Sequence, residues 1–199
     1  MKAIILGGFL GSGKTTVLLR MVPWLVKKYE GGKSSCPVVV LENEISLTDV
    51  DARRLRDNGF TVRNLTAGCI CCTSQGELMG TVKKIVEEYA PDCLVVEATG
   101  MAYPDSIKET LQRVPEVDSV KIVGIVDTGR WKKLVFAMPD FVRGQLCQAD
   151  VILMNKIDQT GPELLAEVEM SIREYAKTES IYSVAAREQI PEFCFEGLL

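Results

Sequence analysis

Gly8-Phe9-Leu10-Gly11-Ser12-Gly13-Lys14-Thr15 lies between an apolar run, Lys2 to Leu6, and a segment of helical period, Lys14 to about Lys28. The spacing is that of a G-x-x-x-x-G-K-[ST] phosphate-binding loop in the context it requires, a strand before it and a helix after it. Glycines let successive backbone N–H groups converge on phosphate oxygens at a helix N-terminus, where the helix dipole favours an anion. Gly8, Gly11, Ser12 and Gly13 are read as that cradle. Lys14 then neutralises β- and γ-phosphate charge, the Thr15 hydroxyl ligates Mg²⁺, and Thr16 adds an α-phosphate contact. An ordinary glycine-rich turn would not need the lysine.

Outward from this loop, short apolar runs alternate with helical-period segments, the pattern of βα units around a parallel sheet covered on both faces. The expected fold is therefore α/β, a P-loop NTPase with a mostly parallel sheet. Strands are predicted at Lys2–Leu6, Pro37–Leu41, Phe60–Leu65, Cys93–Val96, Ser119–Val126, Val151–Met154 and Ser180–Val184. Helices are predicted over Lys14–Lys28, up to Asp57-Asn58-Gly59, and over Gln75–Tyr89, Asp105–Arg113, Gly129–Ala137 and Pro162–Lys177. An acid-rich connection from Glu42 to Asp51 reads as a switch segment. At 199 residues the chain fits one domain over its whole length, 1–199, and the expectation is that nothing beyond a nucleotide-binding core is encoded. Its apolar residues fall in short clusters, none near the roughly 20 residues of a membrane helix. Lys2–Leu6 reads as a first core strand and not as a signal peptide, because the glycine loop follows at once.

Asn155-Lys156-Ile157-Asp158 follows the apolar Val151–Met154. This N-K-x-D pattern favours guanine: a carboxylate at Asp158 accepts from both N1–H and the exocyclic amine, a pair that adenine does not offer, while Lys156 covers the base plane. Ser183–Ala186, at the end of the last strand, is placed to offer backbone contacts to the guanine edge. Cys93–Val96 runs into Glu97-Ala98-Thr99-Gly100, the arrangement expected beside the γ-phosphate. Glu97 would orient a Mg²⁺-bound or attacking water, and Gly100 would offer an N–H to the γ-phosphate. Asp127 ends another strand, as a further site candidate or only a cap.

Gly68-Cys69-Ile70-Cys71-Cys72 places three thiols within four residues. Thiolates so crowded can hold a soft cation such as Zn(II), Cu(I) or Co(II). Strand alternation puts Cys69 and Cys71 on one side, and Cys72 joins them only if the loop bends. Small buried packing residues and redox-active thiols are the other readings of the same stretch. Cys36, Cys93, Cys147 and Cys194 read as incidental. The chain has no histidine, so a metal here is held by sulfur and oxygen. Seven cysteines without framework spacing point to a reducing compartment, the cytoplasm. A net charge of −4 with scattered Lys and Arg lacks the basic stripe of a nucleic-acid binder.

Gly8–Thr16, Glu42-Asn43-Glu44, Gly68–Cys72, Glu97–Gly100 and Asn155–Asp158 occur in this order and rough spacing. In this the chain resembles the CobW-type metallochaperone GTPases, and Gly-Cys-x-Cys-Cys separates that type from the nickel-insertion GTPases of hydrogenase and urease maturation. The resemblance implies a G domain whose Cys69, Cys71 and Cys72, with Glu44 from the switch, bind a divalent transition metal, Zn²⁺ or Co²⁺, under nucleotide control. It departs from the family where Asn43-Glu44 runs into Ile45-Ser46-Leu47 in place of Phe-Gly, and the family's C-terminal domain and histidine-rich stretch are expected to be absent. The implied activity is that of a slow Mg²⁺-dependent GTPase using Lys14, Thr15 and Glu97, with a client metalloprotein or corrinoid protein, and a nucleotide-dependent homodimer, as partners. The alternatives are a nucleotide-gated binding module whose cysteines are structural or redox-active, and a P-loop kinase, which the guanine tetrapeptide disfavours.

Overall fold

The computed structural model describes residues 1–31, 34–42, 61–64 and 75–199. Its strands are β1 (Lys2–Gly7), β2 (Val38–Glu42), β3 (Thr61–Asn64), β4 (Cys93–Glu97), β5 (Ser119–Asp127), β6 (Val151–Asn155) and β7 (Ile181–Val184). They form one sheet in the order β3-β2-β4-β1-β5-β6-β7, and every neighbouring pair is parallel. The helices are α1 (Lys14–Lys28), α2 (Gln75–Tyr89), α3 (Pro104–Leu111), α4 (Trp131–Ala137), α5 (Pro139–Leu146), α6 (Pro162–Tyr175) and the short α7 (Phe193–Glu196).

Parallel strands buried on both faces read as unbroken apolar runs, which is why Ala3-Ile4-Ile5-Leu6 and Val38-Val39-Val40-Leu41 show no polar alternation. The two faces nonetheless have different partners. Ala3, Ile5, Leu94, Val96 and Ile122 pack with Leu78, Val82, Ile107, Val142 and Val168 of α2, α3, α5 and α6. Ile4, Leu6, Val95, Val123 and Leu153 pack with Val17, Leu18, Met21 and Leu25 of α1 and with Phe195 of α7. The helices thus sandwich the sheet, as expected, and among the described residues none is long and apolar enough to cross a membrane.

All seven predicted strands are present, and their ends differ from expectation by a residue or so. The helix expected up to Asp57-Asn58-Gly59 lies outside the described residues, and the others depart more than the strands do. Gly129–Ala137 is a 3₁₀ turn at Thr128–Arg130 followed by α4, and α5 is a helix that the sequence pattern does not predict. Met138 explains the boundary: preceding a proline it is driven out of the helical region, to φ −145°, ψ 58°, so one helix ends and Pro139 starts the next.

Cys93 sits at 0% exposure at the start of the interior strand β4. Burial, above all, pushes its thiol from an ordinary 9.0 up to about 12, with Asp92 adding to the rise and Lys2 opposing it. Burial likewise raises Tyr29 from 10.0 to about 12, helped by Cys93 and Asp92. Above pH 9 the unfolded chain sheds these protons while the folded chain keeps them, so unfolding becomes easier as pH rises toward 12. Urea midpoints measured on reduced protein at about pH 8 and about pH 10 are expected to fall, by an amount equivalent to roughly 1 kcal/mol. An unchanged midpoint would place Cys93 in contact with water.

Candidate functional site

At the C-terminal end of the sheet, β1 runs through the glycine loop into α1. Gly13 is the N-cap of α1 in a left-handed conformation, φ 103°, ψ 24°, which only glycine adopts without strain. A Cβ there would also collide with the Asn155 amide. The first helical bond runs from Val17 N to Gly13 O, so amides of the preceding turn lack a carbonyl one turn back. Lys14 is 7% exposed, and its ammonium donates to Gly8 O (3.1 Å) and Phe9 O (3.3 Å). The Thr15 hydroxyl donates to Glu97 Oε1 at the end of β4 (2.9 Å). In the sheet register Glu42 stands beside Glu97, so two adjacent strands each present a carboxylate here.

Asn155 ties three segments together. Its Nδ2 donates to Ser12 O (2.8 Å) and its Oδ1 accepts from Ala186 N (2.9 Å). Lys156 is a non-glycine residue at φ 66°, a conformation that persists only when surroundings hold it. Its ammonium donates to Gly11 O (2.6 Å) and pairs with Asp127 Oδ2 (2.7 Å). Asp158 is exposed, and Gln159 Nε2 donates to it at 3.3 Å.

These elements enclose a cleft of about 360 Å³, lined by Gly11, Gly13, Lys14, Thr15, Thr16 and Glu97 on one side and Asn155, Lys156, Asp158, Ala186 and Arg187 on the other. The fold has brought the phosphate-loop, acid and base-reading candidates to one opening. Ser12 lies behind them at 1% exposure, and its hydroxyl has no hydrogen-bond partner among the described residues; the 7%-exposed Thr99 hydroxyl is in the same position. Gly100 packs on the loop so closely that a Cβ would lie 2.6 Å from Leu10 N. Of Ser183–Ala186, the Ala186 amide is taken by Asn155. Glu44, Cys69, Cys71 and Cys72 lie outside the described residues, which among themselves hold no cluster suited to a metal ion.

Two contributors are not legible in the sequence. Gln145 on α5 is 2% exposed; its Oε1 accepts from Gly8 N (3.0 Å) and its Nε2 donates to Ala102 O (2.6 Å), fastening the start of the loop to the segment after Gly100. A buried glutamine is the available signal, hidden because α5 itself is not predicted. Arg130, after β5, donates from Nη1 to Leu10 O (3.1 Å).

A parallel sheet whose first strand passes through this loop into a helix N-terminus defines a P-loop NTPase. Within that class the chain belongs to the CobW/HypB/UreG family, whose nucleotide-binding domain matches residues 2–183. It is similar to the zinc chaperone YeiR of Escherichia coli (strain K12), 32% identical over 80% of this chain and 47% of that protein. It is also similar to zinc-regulated GTPase metalloprotein activator 1 of Dictyostelium discoideum, 26% identical over 85% of this chain and 42% of that protein. The chain thus spans less than half the length of these curated relatives. Among solved structures, a Zn(II)-bound triple mutant of the YjiA GTPase aligns with TM-score 0.69 at 23% identity, over 99% of this chain and 61% of that one. The hydrogenase maturation factor HypB from Archaeoglobus fulgidus aligns with TM-score 0.60 at 20% identity, over 94% and 82%. At these identities the structures speak for the fold.

Proposed function

We propose that this chain is a Mg²⁺-dependent GTPase domain whose nucleotide state sets the affinity of Cys69, Cys71 and Cys72, with Glu44, for a transition metal delivered to a client protein. The observation that carries the nucleotide half is the single cleft shared by the phosphate loop, the Thr15–Glu97 pair and Asn155–Asp158. The metal half rests on the Gly-Cys-x-Cys-Cys stretch, with relatives named zinc chaperones favouring zinc over cobalt.

The residues present fit the groups this function needs. Thr15 Oγ1 and Glu97 Oε1, 2.9 Å apart at the cleft wall, are hard oxygen donors of the kind Mg²⁺ selects. Mg²⁺ held there would neutralise charge on the β- and γ-phosphate oxygens. The amides at the start of α1 suit phosphate oxygens, and the Ser12 hydroxyl, without a partner among the described residues, lies just behind them. Lys14 exchanges the Gly8 and Phe9 carbonyls for the transferring phosphoryl, and Glu97 orients the water. Leu10, Met101 and Tyr103, 70%, 66% and 46% exposed beside the loop, offer apolar surface on which a client or a second copy of the chain would complete a slow active site. A reducing compartment, the cytoplasm, keeps the thiols available.

The test is competition titration of Zn(II) and Co(II) on reduced protein in three states: with a GTP analogue and Mg²⁺, with GDP and Mg²⁺, and without nucleotide. Tight zinc binding that changes at least tenfold between the analogue and GDP is the expected result. Weak binding indifferent to nucleotide would remove the switch and leave a nucleotide-binding module whose cysteines do other work.

A further inference from the structure

Three consecutive carbonyls of the phosphate loop are held from outside it, Leu10 O by Arg130 Nη1, Gly11 O by Lys156 Nζ and Ser12 O by Asn155 Nδ2, while Gly8 O and Phe9 O accept from the loop's own Lys14 Nζ. In a planar trans peptide the carbonyl of one residue and the N–H of the next point in opposite directions. Drawing Leu10 O toward Arg130 therefore turns Gly11 N–H the other way, and drawing Ser12 O toward Asn155 does the same for Gly13 N–H. A cradle of inward amides needs its carbonyls satisfied elsewhere, since an unpaired one would compete for the same space.

Lys14 is committed to the phosphates of the proposed nucleotide, and Asn155 and Lys156 belong to the base-reading tetrapeptide. Arg130 belongs to neither, yet it grips the crest of the loop, its Nη1 also 3.2 Å from where a Gly11 Cβ would stand. Asp127 links it to Lys156. This carboxylate, 6% exposed at the end of β5, pairs through Oδ2 with Lys156 Nζ (2.7 Å) and accepts the Arg130 N–H at Oδ1 (3.3 Å). Asp127 and Asn155 are register partners at neighbouring strand ends, and Thr128 Oγ1 donates to Asn155 O (3.0 Å), so the turn after β5 and the tetrapeptide after β6 are fastened together.

We propose that Asp127 and Arg130 are positioning residues that couple the base-reading segment to the phosphate loop: Asp127 fixes Lys156 and the Arg130 turn, and Arg130 sets the loop crest. The proposal rests on guanine-nucleotide binding in this cleft. Neither side chain touches a reacting atom. They act by preparing the cradle before nucleotide arrives, and so affect affinity in different ways. Arg130 works on the phosphate side alone, whereas Asp127 works on both sides because it orients the segment that carries Asp158.

Calorimetric titration of the purified chain with GDP and with inosine diphosphate, which lacks the exocyclic amine, separates these roles. Arg130→Ala is expected to weaken both ligands equally, by roughly tenfold, the scale of a charged hydrogen bond to a carbonyl. Arg130→Lys should recover most of that loss, since an ammonium can also reach a carbonyl. Asp127→Asn should weaken GDP by at least as much and also shrink the preference for GDP over inosine diphosphate. Melting of the nucleotide-free protein provides the control: Arg130 is exposed, so Arg130→Ala should leave that temperature unchanged while reducing the rise produced by GDP. GDP affinities of Arg130→Ala and Asp127→Asn within twofold of the parent would overturn the proposal, as would a fall in nucleotide-free melting temperature accounting for the whole effect of Arg130→Ala. Should the parent chain itself fail to bind GDP, guanine-nucleotide binding falls and the proposal with it, a result visible without any variant.

Discussion

Asp158→Asn is expected to lower affinity for GDP by roughly a thousandfold and to raise affinity for xanthosine diphosphate. The Asp158 carboxylate lies exposed in the lining of the cleft it shares with the phosphate loop, accompanied by Gln159. A carboxylate facing guanine accepts two hydrogen bonds, from N1–H and from the exocyclic amine, and each bond to a charged group is worth about 1.5–3 kcal/mol. Asparagine keeps one acceptor but sets an N–H donor against one of the two guanine donors, so one bond is lost and a repulsive contact appears. At about 1.4 kcal/mol per factor of ten the loss reaches the thousandfold scale. Xanthine has a carbonyl where guanine has the amine, and asparagine suits that edge. Titrating parent and variant with both diphosphates gives four affinities. A crossed pattern assigns base reading to Asp158; parental GDP affinity in the variant would reduce Asp158 to a solvated turn residue and leave the phosphate loop unaffected.

The fold is readable in sequence because its parallel strands are buried on both faces. Continuous runs such as Val38–Leu41 and Val151–Met154 have no rival reading when turn residues bound them and helical periods separate them. The phosphate loop and the tetrapeptide are readable for another reason: each is local, with its chemistry carried by residues a few positions apart. The hidden part is non-local. Gln145 reaches Gly8 across 137 positions and Arg130 reaches Leu10 across 120, and no period or spacing encodes such meetings. The Asp127–Lys156 pair is half visible, since a carboxylate ending a strand is equally well a cap, and Asp127 does cap the turn at Arg130 while pairing with the lysine. Each contact uses one carboxylate oxygen, Oδ1 for the cap and Oδ2 for the lysine. The acid-rich segment beyond Glu42 and the cysteine stretch lie outside the described residues, so their chemistry rests on sequence and on the family.

Cys71→Ser/Cys72→Ser is expected to weaken zinc binding by at least a thousandfold. Without a histidine in the chain, nitrogen from imidazole is excluded and the soft donors are thiolates. Hydroxyls stay protonated near neutral pH and are poor ligands for Zn(II), so the double variant keeps only Cys69 and carboxylates. Single variants then count the thiolates. Along an extended stretch Cys69 and Cys71 share a side and Cys72 faces away. If the stretch stays extended, Cys71→Ser is severe and Cys72→Ser nearly silent; if it bends to bring all three together, the two singles are equally severe. The visible spectrum of the Co(II) form provides an independent count, because thiolate-to-metal charge-transfer intensity grows with each sulfur bound. Each thiol must lose its proton to bind, so the parent's zinc affinity should fall as pH is lowered, and more steeply for three thiolates than for two. Parental zinc affinity in the double variant would show that these sulfurs do not hold the metal. The nucleotide switch would then need another ligand set, built from the acids of Glu42–Asp51 and Glu97 alone, and oxygen donors of that kind would favour Mg²⁺ over zinc.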